Sequence, residues 1–312
     1  MTHTEQSPRS LDEYLAQLRG ALAGADPAMI QDALSDAESH LRAEFAARPG
    51  ESEESVLRSI VGSYGSPSDV AAAYRETERT VQAAHAPAPP ARSTTTVATD
   101  TGALRRFFGI YGDVHAWTAL FYMLLSLLTG IFYFVFVVTG LALSLGLSIL
   151  IIGLPFFVAF IGMARVLSLA EGRLVEAVTG ERMPRRARPT TPGGLLARIG
   201  SMLRDLRTWT TLAYQFLMLP LGTLYFSLSI TVSAIGVALV GVGVSAWLEL
   251  LGLHLPAHIM WDGEELPPAW LAPWAGLASI AVGVLALTAL LHLARLIGRL
   301  HGKLAKRLLV TG

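Results

Sequence analysis

The chain has 312 residues, 52% of them hydrophobic and 15% charged, with mean hydropathy +0.49. That balance excludes an ordinary soluble globular protein and predicts several membrane spans beside a modest polar part. Cysteine is absent, which excludes disulfides, thiolate metal sites and cysteine nucleophiles, and the net charge of zero hides an acidic surplus of 7 within residues 1–80 and a basic surplus of 7 in the remainder.

Residues 9–80 predict a small helical domain. Leu11, Tyr14, Leu15, Leu18 and Leu22 recur at helical spacing, and Ser10 with Glu13 forms a capping-box pattern. Asp26-Pro27 starts a second helix, whose stripe runs Met29, Ile30, Ala33, Leu34, Ala37, Leu41 and Phe45 and stops at Pro49-Gly50. Ser52-Glu-Glu-Ser opens a third through Val56, Leu57, Ile60 and Val61. A turn is expected over Gly62–Pro67, with Ser68-Asp69 capping a last short helix that holds Val70, Ala73 and Tyr74. The segments Leu11-Asp-Glu-Tyr-Leu-Ala-Gln-Leu, Asp36-Ala-Glu-Ser-His-Leu, Glu53-Glu-Ser-Val and Tyr64-Gly-Ser-Pro-Ser-Asp-Val-Ala resemble the HAAS signalling domain. That helical module occurs at the amino end of bacterial membrane proteins. The resemblance implies signalling or protein interaction rather than catalysis.

Residues 81–104, rich in proline and hydroxyl residues, predict a disordered linker. The first hundred residues hold no apolar segment long enough for a signal peptide, so the amino-terminal domain is expected in the cytoplasm. Arg105-Arg106 then precede an uncharged run from Trp117 to Ala164, too long for a single crossing of a bilayer core about 30 Å thick. A transmembrane hairpin follows, with its turn expected over Thr139–Gly146 and a kink at Pro155. Arg165–Arg207 carries nine arginines, among them the cluster Arg182, Arg185, Arg186 and Arg188. This is a positive-inside signal, and such a cluster also attracts anionic headgroups.

The hairpin then recurs. Trp209-Thr-Thr-Leu-Ala-Tyr repeats Trp117-Thr-Ala-Leu-Phe-Tyr at an offset of 92, and Gly130/Gly222, Tyr133/Tyr225 and Thr139/Thr231 are identical pairs. The exits repeat at an offset of 130, Ala164-Arg165 and Gly172-Arg against Ala294-Arg295 and Gly302-Lys. The second copy therefore contains 38 additional residues. Within them, the glycine-rich segment 232–253 is read as re-entrant or interfacial, with a long straight helix as the other option. No Lys or Arg occurs between 208 and 294, which fits an external loop.

The words Trp-x-x-Leu-x-Tyr, Gly-x-x-Tyr-Phe, Ile-Gly-Leu-Pro and Ala-Arg-x-Leu-x-x-x-x-Gly-Arg-Leu, together with their duplication, resemble the sensor domain family of bacterial signalling proteins. That family is a four-helix membrane module often fused to a histidine kinase. Nothing here resembles a phosphoacceptor helix or an ATP-binding glycine box, so the helical domain is expected to be the output.

The expected fold is all-α. A cytoplasmic helical domain over 9–80 is followed by a linker over 81–104. A four-helix transmembrane domain over 105–312 is made of two tandem hairpins, repeat 1 over 105–190 and repeat 2 over 191–312. No catalytic, cofactor-binding or metal residue is assigned, because neither a nucleophile elbow nor a zinc or phosphate-loop motif occurs. His40 reads as structural. The membrane segments hold only neutral polar groups such as Ser126, Gln215 and Thr288, with His292 near the inner end, which disfavours a pump or proton-coupled carrier. The candidate sensing region is the external loop with Glu249, His254, His258, Trp261, Asp262, Glu264, Glu265, Trp270 and Trp274. The histidines admit a metal reading and the tryptophans an interfacial one. The expected role is a non-enzymatic bacterial inner-membrane sensor or signalling accessory, multi-pass, with four spans and both termini cytoplasmic. Alternatives are a scaffold or subunit of an ABC-type export system and, third, a small-molecule carrier. Expected partners are the lipid bilayer, a cytoplasmic or membrane signalling protein and a second copy of the chain. No nucleic acid and no cofactor are expected.

Overall fold

The computed structural model describes residues 7–85, 101–150, 152–186, 195–253, 260–261, 264–265 and 273–311. They fold into ten α-helices: α1 (Leu11–Ala21), α2 (Pro27–Ala47), α3 (Glu53–Tyr64), α4 (Pro67–His85), α5 (Thr101–Phe108), α6 (Val114–Ser148), α7 (Gly153–Thr179), α8 (Leu195–Arg204), α9 (Leu206–Leu250) and α10 (Pro273–Lys306). A two-residue antiparallel ladder, β1 (Met260–Trp261) with β2 (Glu264–Glu265), is the one departure from all-α among the described residues. The chain divides into two compact units. One comprises Met1–Thr96, Gly140–Ala213 and Leu304–Gly312, and the other Val97–Thr139 and Tyr214–Lys303.

The amino-terminal helices begin where side chains can satisfy free backbone N–H groups. Ser10 Oγ accepts from Glu13 N at 3.2 Å, Asp26 Oδ1 from Ala28 N at 2.8 Å and Ser52 Oγ from Ser55 N at 3.3 Å. The cap of α4 is Ser66 rather than Ser68. Ser66 Oγ accepts from Asp69 N and Asp69 Oδ2 accepts from Ser66 N, both at 3.2 Å, a reciprocal box that Pro67 fits at the first helical position. The expected turn over 62–67 shrinks to Gly65 and Ser66, where Gly65 takes a φ of 108°. Tyr14, Leu18, Leu22, Met29, Ala33, Leu41, Val56, Leu57, Ile60 and Val70 form one core. Tyr14 donates to the Gly65 carbonyl at 3.0 Å and so ties α1 to the end of α3. The expected linker is shortened at both ends, since α4 continues to His85 and α5 begins at Thr101. Residues 86–100 lie outside the described residues.

Four helices are long and apolar enough to cross a membrane: Val114–Ser148, Gly153–Thr179, Leu206–Leu250 and Trp274–Val310. Their mean hydropathies run from 1.8 to 2.3, and at most a third of each window is buried by protein. The outward surface includes Phe121, Leu128, Leu145 and Leu224, each more than 60% exposed. Apolar surface on that scale belongs against lipid.

The first hairpin corrects two expectations. Gly140 and Gly146 do not turn the chain; α6 runs on to Ser148 and α7 starts at Gly153. Gly140 instead admits the Phe160 ring, which a Cβ there would overlap. Pro155 makes no kink, because it lies in the first turn of α7, where its missing donor costs nothing.

In the second copy, segment 232–253 takes the second option, the long straight helix, as far as Leu250. It continues α9, an unbroken helix of 45 residues and about 68 Å. The glycines there serve close packing rather than flexibility. Gly236 and Gly243, one heptad apart, face Gly283 and Gly276 on α10. A Cβ on Gly243 would lie 2.5 Å from the Gly276 carbonyl oxygen, and one on Gly283 would lie 2.7 Å from that of Gly236. Ser279 Oγ donates across this seam to the Leu239 carbonyl at 2.7 Å.

Candidate functional site

The duplicated sequence is reproduced as duplicated geometry. Trp117 Nε1 donates to the Tyr111 carbonyl and Trp209 Nε1 to the Leu203 carbonyl, both at 2.9 Å. Asp113 caps α6 through His115 N at 3.0 Å, and Asp205, 92 residues on, caps α9 through Arg207 N at 3.1 Å. Each aspartate also holds an arginine of the other repeat. Asp113 pairs with Arg295 at 2.9 Å, and Asp205 with Arg165 at 3.4 Å. Gly130 and Gly222 exchange equivalent contacts: a Cβ on Gly130 would strike the Met218 carbonyl, and one on Gly222 the Ser126 carbonyl. Entry helices α6 and α9 therefore touch backbone to backbone where lipid-soluble helices associate best.

Above this seam two equivalent tyrosines meet one imidazole. Tyr122 Oη lies 2.7 Å and Tyr214 Oη 3.0 Å from His301 Nε2. The Tyr225 ring stands edge-on to the imidazole at 5.8 Å. His301 is 1% exposed, and its Nδ1 has no hydrogen-bond partner. Buried polar atoms of this kind are uncommon. Sequence reasoning missed His301, although the exit offset of 130 aligns it with Glu171, the other buried ionisable residue directly before a repeated glycine.

The second constellation lies in the unit that contains the amino-terminal domain. Helices α2 and α4 present Asp26, Asp32, Asp36 and Glu78 to the segment leaving α7. Arg182 is ion-paired with Glu78 and stands 3.6 Å from Asp32. Asp32 Oδ1 accepts the backbone N–H groups of Arg185 at 2.9 Å and Arg186 at 3.1 Å. Gln31 Nε2 donates to the Arg186 carbonyl at 2.9 Å, and Arg186 Nε reaches Asp36 Oδ1 at 2.5 Å. Met183 is fully buried, and Gly172 leaves it room. At the end of α10, Lys306 Nζ binds Asp26 and Glu181, each at 2.6 Å. Burial pushes the Asp32 carboxyl up from its ordinary range, against the opposing pull of the Arg185 and Arg186 N–H groups and the Arg182 guanidinium. Burial, then the bond to Asp36 at 2.5 Å, raises the Tyr74 hydroxyl.

Of the basic cluster, Arg182, Arg185 and Arg186 are thus brought onto the acidic face, and Arg188 lies outside the described residues. Arg185 is the most solvent-exposed of the three and pairs with Glu176 at 3.3 Å. The acidic partners went unnamed in sequence reasoning, although the opposite surpluses of the two halves pointed to such a pairing. Of the candidate loop, His254, His258, Asp262 and Trp270 lie outside the described residues. The main chain of Trp261, Glu264 and Glu265 forms the short ladder, Glu249 lies in the last turn of α9, and Trp274 lies in the first turn of α10 with 73% of its surface exposed. His40 stacks on Tyr64 with ring centroids 4.4 Å apart. His292 stacks on Phe107 and lies 3.0 Å from its carbonyl.

Four helices long and apolar enough to cross a membrane, drawn from a duplicated unit, and a polar helical module beside them fit a polytopic membrane protein. The family described as "Putative sensor" matches residues 122–309, more than half of the chain, and the chain belongs to that family. The HAAS family matches residues 13–73. No curated protein and no solved structure matches the chain. The two domains and the four apolar helices fit a membrane sensor or signalling role.

Proposed function

We propose that this chain is a non-enzymatic sensor or signalling accessory of the bacterial inner membrane, with both termini in the cytoplasm. The orientation rests on charge: nine arginines fall within Arg165–Arg207, and no Lys or Arg between 208 and 294. The observation that carries the role is the clamp between the HAAS helices and the ends of two apolar helices. Arg182 and Arg186 follow α7, Lys306 ends α10, and all three hold carboxylates of the amino-terminal domain. A shift of either helix changes what the acidic face touches. A stimulus acts through this device when it binds the clamped and released states unequally.

The test compares a deletion strain with a strain carrying Arg182→Glu and Arg186→Glu at equal protein level. Signalling predicts that both change a shared set of transcripts. Unchanged transcripts in both strains, with loss of an exported substrate, would replace this reading by an export-system subunit.

A further inference from the structure

Residues 181–186 are gripped as a ligand is gripped. The segment has no secondary structure, yet its main chain is read at consecutive positions. Asp32 takes two adjacent N–H groups, and Gln31 supplies a donor to the following carbonyl. Its side chains are read as well. Arg182 enters between Glu78 of α4 and Asp32 of α2, and Arg186 reaches Asp36, one helical turn beyond Asp32. Between the arginines, Met183 and Pro184 are buried. Main-chain capture combined with charge-specific side-chain contacts is how modules recognise extended peptides. The face is acidic, so it repels anionic lipid and selects cationic chain. Its asparagine-free, carboxylate-rich lining matches guanidinium groups in particular.

We infer that the acidic face of α2 and α4 is a binding site for short extended peptides with arginines four residues apart, and that Arg182-Met-Pro-Arg-Arg186 occupies it in cis. A signalling partner with an exposed Arg-x-x-x-Arg segment binds by displacing the chain's own copy. This deepens the signalling reading by naming the partner's chemistry, but the binding itself is measured without any transcript readout, so the two can fail separately. A short tether holds its ligand at about millimolar effective concentration. For a peptide of about 10 µM intrinsic Kd, cis occupancy therefore weakens apparent binding by about 100-fold.

The test uses the full chain in lipid nanodiscs and a fluorescein-labelled peptide Glu-Arg-Met-Pro-Arg-Arg, read by anisotropy. The Arg182→Ala, Arg186→Ala double variant is expected to bind the peptide at least 10-fold more tightly than the wild-type chain. Adding Asp32→Ala and Asp36→Ala is expected to abolish the gain, with circular dichroism and size exclusion showing each variant folded. Equal affinity of wild type and the arginine variant overturns cis occupancy. Binding that survives the aspartate changes overturns the site. A measurement free of protein variants runs beside these: at millimolar concentration the arginine peptide, and not its glutamine-for-arginine analogue, raises hydrogen exchange across residues 182–186 of the wild-type chain. An equal effect of the two peptides overturns the proposal.

Discussion

Gly222→Ala tests the contact between the two repeats. The added methyl carbon would sit 2.6 Å from the Ser126 carbonyl carbon, and Gly130→Ala would place one 2.9 Å from the Met218 carbonyl carbon and 3.1 Å from Leu219 Cα. Carbon atoms pack at about 3.5–4.0 Å, so each helix pair must part by about 1 Å, and the obstacle is backbone, which has no rotamer to yield. Overpacking of this kind costs about 1–3 kcal/mol. One separation of α6 from α9 relieves both methyls. The double variant is therefore expected to cost little more than the worse single variant, leaving a coupling of about 1–2 kcal/mol. Reversible unfolding of the full chain in one detergent, followed by circular dichroism for wild type, both singles and the double, supplies the cycle. Singles within about 0.5 kcal/mol of wild type, or costs that simply add, would refute the shared backbone contact.

Asp32→Asn keeps an oxygen for the Arg185 and Arg186 N–H groups and is expected to cost much less than Asp32→Ala, which strands both at about 1–3 kcal/mol; hydrogen exchange over residues 182–186 ranks the two variants. Asp69 is held below the ordinary carboxylate range, first by the Ser66 hydroxyl and then by its N–H. Its contribution is present above about pH 4 and is lost as pH falls through the lowered value, so Asp69→Asn is expected to flatten the acid limb of the thermal midpoint between pH 3 and 5. Asp32 acts in the opposite sense. Its raised value means that its contribution is full in acid and declines as pH rises through that value. Tyr122→Phe or Tyr214→Phe alone leaves His301 Nε2 one hydroxyl and is expected to cost under about 1 kcal/mol, whereas the double variant strips it and costs about 1–3 kcal/mol by the same unfolding assay. Reporter fusions after Gly102, Pro189, Gly263 and Gly312 are expected to be external at Gly263 alone; an external Pro189 fusion would reverse the proposed orientation.

The duplicated unit was legible because its markers are chemically distinctive. Tryptophan, tyrosine and glycine recur at one offset in a background of Leu, Val and Ala, and the pairs Trp117/Trp209, Tyr122/Tyr214 and Gly130/Gly222 occupy equivalent places. Helix ends were less legible. Gly140 and Gly146 carry the same letter as a turn glycine, and only the facing Phe160 reveals that Gly140 is a packing surface. The same ambiguity misread Gly236 and Gly243, where the missing side chain lets α10 approach. Local capping chemistry set the starts of α1, α2 and α3, whereas at α4 the expected cap Ser68 gives way to Ser66, because Pro67 fits the first helical position. The docking face was legible only as net charge. Asp32 and Arg185 are 153 positions apart, and no periodicity links residues that meet solely through the fold.

The meeting of Tyr122 and Tyr214 at His301 has a consequence for symmetry. Duplication supplied two hydroxyls, but Nε2 carries one lone pair or one proton, never both. The equivalence of the two repeats therefore ends at this imidazole, a single nitrogen facing two copied hydroxyls at 2.7 and 3.0 Å.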